Sequence, residues 1–158
     1  MYLYLGVFKG DILTALILII GFLIGFIVYS KFKVQIGGVI ATPLLVLYVL
    51  NYPKSIIVFI IAVVMTYLVL EVLVETTLMY GRRLYYIGAI VSIITTYILM
   101  KYISIVQPAY FSIIPAIIGY NVYRESESVE NLARSILIWL LEFLSILAIA
   151  LVIISFEG

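Results

Sequence analysis

Long charge-free apolar runs alternate with short charged punctuation along this chain, and that alternation narrows the folds open to it. No charged side chain falls between Ile12 and Tyr29, and comparable runs cover Ser55–Leu70 and Leu84–Met100. A helix over the first run extends roughly 27 Å, close to the ~30 Å hydrocarbon thickness of a bilayer. The 158 residues are 66% hydrophobic and 11% charged, against about 25% charged in a soluble domain. A soluble fold of this size has too little interior to hide so much apolar surface. The runs recur to the C-terminus, which argues against a signal peptide ahead of a soluble domain. The expected fold class is an all-α integral membrane protein, with residues 1–158 forming a single polytopic domain.

Composition removes several chemistries. There is no Cys and no His, so disulfides, His-ligated metals and Ser-His or Cys-His nucleophile pairs are excluded. No Gly-x-x-x-x-Gly-Lys loop is present to cradle a nucleotide. A net charge of +1 gives no case for nucleic acid. No catalytic residue, metal or cofactor is expected. The richness in Ile and Tyr suggests a prokaryotic source, and hence a multi-pass protein of the cell membrane.

Taken in order, Tyr2, Tyr4 and Phe8 suit an interfacial aromatic belt. Gly21 and Gly25 have the Gly-x-x-x-Gly spacing that lets helix backbones approach closely. Lys31 and Lys33 end the first segment. Val34–Leu50 is short and interrupted by Gly37-Gly38 and Pro43, and Asn51–Lys54 reads as a turn. Ser55–Met79 is long, with Glu71 and Glu75 on one helical face near its end. Tyr80-Gly81-Arg82-Arg83 follows at the midpoint. Two adjacent guanidiniums cannot rest in hydrocarbon, so this stretch is expected to be an aqueous turn. Leu84–Met100 is a clean span, Ala109–Tyr123 a short segment holding Pro115, and Arg124–Arg134 the most polar stretch. Ser128 or Asn131 is the expected cap of a last helix over Leu132–Ile154, which contains Trp139 and Glu142.

A single offset lays Gln35 on Gln107, Pro43 on Pro115 and Tyr48 on Tyr120. Each half then reads as helix, Pro-broken short segment and long helix, about six hydrophobic segments in all. The first repeat covers about 11–79 and the second about 84–154, joined by the turn 80–83. If the short segments span, the halves are inverted, and Lys31, Lys33, Arg82, Arg83, Arg124 and Arg134 share one side. If they re-enter, the halves are parallel, and Arg82 and Arg83 fall opposite. The distribution of Lys and Arg is equally asymmetric either way. The spanning arrangement is preferred because it joins the arginine pair to the main basic side, the expected cytoplasmic face.

Tyr80-Gly81-Arg82-Arg83 between two long apolar helices resembles the CapC/PgsC family, membrane subunits of the machinery that makes poly-γ-glutamate capsule polymers. So do Gly37–Leu44 and Phe111–Ala116, where both family prolines stand but the glycine after each is replaced by Leu44 and Ala116. The polar run Gly119–Arg124 is also family-like. The resemblance implies a non-catalytic subunit that anchors a cytoplasmic ATP-dependent amide ligase and presents or passes a growing polyanion. Tyr80, Arg82, Arg83 and Arg124 are then the expected polyanion or partner contacts, since arginines grip carboxylates bidentately. Alternatively, the arginines only fix topology, with Glu71 and Glu75 neutralising them at headgroup depth. Two other function classes remain open from the sequence. One is a small two-repeat transporter whose intramembrane Glu71, Glu75 and Glu142 line an ion path. The other is a structural subunit that forms a homo-oligomer through Gly21 and Gly25.

Overall fold

A computed structural model describes residues 12–77, 81–103, 109–126 and 129–157. Tyr80, the Tyr2–Phe8 belt, Gln107 and the candidate cap Ser128 lie outside the described residues. The described residues form six α-helices: α1 (Ile12–Phe32), α2 (Gly38–Asn51), α3 (Ser55–Thr77), α4 (Arg82–Ile103), α5 (Ile113–Glu125) and α6 (Val129–Glu157). A short 3₁₀ turn, Ala109–Ser112, leads into α5. No strand occurs among the described residues.

Four of these helices, α1, α3, α4 and α6, are long and apolar enough to cross a membrane. Large apolar side chains cover their outer faces, among them Ile12, Phe26, Ile60, Ile90 and Leu137. An apolar coat of this extent suits lipid and not water. The short helices occupy the interior. At about 21 Å and 20 Å, α2 and α5 are buried along most of their length, with Thr42, Val46 and Ala116 fully enclosed.

Side-chain contacts fix the helix directions. Gly21 and Gly25 on α1 face Pro43 and Val39 on α2, so these two helices are antiparallel. Tyr48 stacks on Phe111 while Gln35 meets Asn121, so α2 opposes α5. Tyr85 meets Tyr120 and Ser92 meets Ser112, so α4 opposes α5 as well. The tight turn at Gly81 makes α3 and α4 a hairpin. Trp139 lies against Thr42, and Ile146 faces Gly21 beside Pro43, so α6 runs parallel to α2. Each helix therefore runs opposite to the one before it.

Packing crosses the midpoint of the chain. Helix α3 packs on α4 and α5, while α6 packs on α1 and α2. Gly21 and Gly25 let α1 close on α2: a Cβ at Gly21 would come 2.7 Å from the Pro43 Cβ. This small-residue seam is used within the chain, and both glycines are buried there.

Two expectations need correction. The prolines do not break their helices. Helix α2 continues through Pro43, because a buried position in a packed bundle can absorb the one lost hydrogen bond. Pro115 is the third residue of α5, in the first turn, where its missing N–H had no helical partner to lose. Nor is the arginine pair in a turn. Gly81, with φ +69, makes the turn, and Arg82 and Arg83 are the first residues of α4. Long side chains at a helix start can reach out of the apolar zone without leaving the helix.

Candidate functional site

The link between α1 and α2 builds the first part of the site. Lys33 has φ 59, the left-handed conformation that commonly ends helices, and its N–H bonds to Tyr29 O at 2.9 Å. The backbone from Val34 to Gly37 then has no helix to satisfy it, and an apolar surround makes that costly. Helix α5 supplies the partners. Asn121 Nδ2 donates to Gln35 O at 2.6 Å and to Ile36 O at 3.2 Å. Gln35 N–H donates to Glu125 Oε1 at 2.5 Å. Asn121 and Glu125 stand one turn apart on one face of α5, which accounts for polar residues at the end of an otherwise apolar helix.

Beside this clamp opens a pocket of about 270 Å³, lined by Phe32, Lys33, Val34, Arg124, Glu125, Asn131, Arg134 and Ser135. Three cations stand against one carboxylate, and that carboxylate already accepts from Gln35. The Arg124 guanidinium also lies 6.0 Å from the Tyr120 ring centroid, a cation–π distance that leaves its N–H fork free to turn outward. The pocket thus presents excess positive charge at the end of the bundle, a setting for anionic groups.

Deeper along α6 is the second part. Trp139 Nε1 donates to Thr42 Oγ1 at 3.2 Å. Thr42 is fully buried and Glu142 is only 6% exposed. Glu142 Oε1 is buried with no hydrogen-bond partner. Gly37 is required beneath this group, since a Cβ there would overlap both Thr42 Oγ1 and Trp139 Nε1.

Of the residues named from sequence, Arg124 lines the pocket and Glu142 lies in the interior group. Arg82 and Arg83 are exposed at the start of α4. The alternating directions put them at the same end of the bundle as the pocket, although they do not line it. Glu71 and Glu75 are exposed on α3. Among the described residues no ion pair joins them to Arg82 or Arg83, and they are not gathered with Glu142. Sequence reasoning missed Lys33, Arg134, Thr42 and Asn121 as site residues. Only Ser135, Trp139 and Glu142, at helical spacings of four and three, gave a signal for a polar stripe on α6.

A family model for capsule biosynthesis CapC matches residues 20–129. The chain belongs to the CapC capsule biosynthesis family. No curated protein and no solved structure matches it. The CapC match takes in the clamp on Gln35, both prolines, the arginine pair and Arg124. It stops at the start of α6, ahead of Arg134, Trp139 and Glu142. Family membership assigns the chain a role in capsule biosynthesis.

Proposed function

We propose that this protein is the membrane subunit of a poly-γ-glutamate-type synthase complex, anchoring a cytoplasmic ATP-dependent amide ligase and receiving its polyanionic product. The observation that carries this reading is the pocket in which Lys33, Arg124 and Arg134 outnumber Glu125. Carboxylates along a polyglutamate chain match guanidinium forks in charge and geometry. Arg82 and Arg83, exposed at the same end, extend the positive surface and offer a second contact to polymer or ligase. The chain contributes no catalytic residue, and the ligase performs the activation and amide formation.

The topology in this reading is six crossings built from an inverted duplication. Alternating helix directions support it, as does the exchange in which α3 packs on the second half and α6 on the first. It puts the pocket and the arginine pair together on the cytoplasmic side. The test is co-purification from cells that also express an ATP-dependent amide ligase of the capsule-polymer type. The ligase should accompany the wild-type chain. Arg124→Ala with Arg134→Ala should cut polymer at least tenfold while the complex still assembles. Loss of neither polymer nor ligase association would remove the proposal.

A further inference from the structure

The buried Glu142 carboxyl and the Val39 carbonyl reach the same face of α1. In α2 the residue four positions after Val39 is Pro43, which has no N–H, so the Val39 carbonyl lacks its helical donor. A Cβ at Gly25 would lie 3.2 Å from Glu142 Oε1 and 3.3 Å from Val39 O. Both oxygens therefore crowd the same face of α1, where glycine leaves room. Oε1 is buried with no hydrogen-bond partner.

Charged groups on the surrounding elements are turned elsewhere. Tyr29 and Lys31 of α1 are exposed. Tyr48 of α2 stacks on Phe111. Tyr120 of α5 meets Tyr85. Lys33, Arg124, Glu125 and Arg134 line the pocket. An ionised carboxylate would be a buried charge with no ion pair among the described residues. A proton on Oε1 turns that oxygen into a donor, and Val39 O is the acceptor at hand.

We propose that Glu142 is a reversible proton-binding site inside the membrane domain. Thr42 stands beside Trp139 and Glu142 on the facing helix. In the protonated state Oε1 donates to Val39 O and ties α6 to the proline position of α2. On deprotonation the proton is released to water and that tie is lost. The site couples the packing of α2 against α6 to the surrounding proton concentration. It does not depend on the identity of the polymer.

The experiment uses the full chain in liposomes treated with a hydrophobic carbodiimide, which adds to protonated carboxyls, with modified peptides identified by mass spectrometry. Modification of Glu142 should be strong at acid pH and fall about tenfold per pH unit beyond its midpoint. Trp139 is the single tryptophan, so its emission should follow the same curve, and Glu142→Gln should flatten it. Absence of modification at every pH at which circular dichroism shows folded protein would overturn the proposal. So would modification that does not change with pH. Protection of Glu142 by sodium at fixed pH would identify a metal-cation site and overturn the proton assignment. None of these outcomes bears on ligase association or polymer yield.

Discussion

Asn121 on α5 reaches across to hold Gln35, its Nδ2 lying 2.6 Å from the Gln35 carbonyl oxygen and 3.2 Å from that of Ile36. One side chain thereby satisfies two carbonyls of a non-helical link. Asn121→Leu keeps the volume and deletes both bonds. Leaving buried acceptors unmet should cost about 1–3 kcal/mol, seen as a lower unfolding midpoint in detergent. An unchanged midpoint would mean that the link finds other donors.

The two glycines after Ile36 should respond differently to a methyl group. Gly37→Ala sets a Cβ into Thr42 and Trp139, so the indole must move and its hydrogen bond to Thr42 must break. Gly38 has φ +60 and nothing within 4 Å of its would-be Cβ. There, Ala should cost only the left-handed backbone strain, about 1–2 kcal/mol. Trp139 emission should shift in the first variant and stay unchanged in the second.

Gly21 and Pro43 form a rigid contact, since a Cβ at Gly21 would come 2.7 Å from the ring Cβ and 2.9 Å from Cγ. A proline ring cannot swing away. Gly21→Ala should therefore destabilise by about 1–3 kcal/mol through overpacking. Much of that loss should return when Pro43→Gly is combined with it, because both the Cβ and the rest of the ring are then gone and α2 regains a donor. A coupling energy near zero in this double-mutant cycle would show that the two helices separate instead.

Binding of an anionic polymer at the pocket should be electrostatic and therefore screened. Short γ-linked glutamate oligomers should bind the reconstituted protein at low salt and weaken progressively as ionic strength rises. Arg134→Ala should lower both the affinity and its salt dependence. The same change at Lys31, an exposed residue outside the pocket, should leave both nearly unaltered.

Much of the helical plan could be read from the chain because the signal is local. Charge-free runs and the punctuation at Lys31, Asn51–Lys54 and Gly81 depend on neighbours a few positions away. The fate of the prolines was not local. Whether Pro43 ends a helix depends on what surrounds α2, and α1 and α6 come from distant parts of the sequence. Site assembly was hidden for the same reason. Lys33, Arg124 and Arg134 are each ordinary helix-end cations until three helix ends converge. Glu142 is unremarkable alone, and only the fold reveals that one of its carboxyl oxygens is buried without a partner on the face of α1 that the Val39 carbonyl also reaches.

The exchange of α3 and α6 between the halves has a consequence for biogenesis. When α1 and α2 leave the ribosome, Gly37 and Thr42 lack their partner Trp139, because α6 is made only after the five helices before it. Glu142 then enters the bilayer into a slot whose lining already waits. A chain halted before Trp139 should leave that slot open to lipid and should be cleared by quality control, so α6 acts as the latch on assembly.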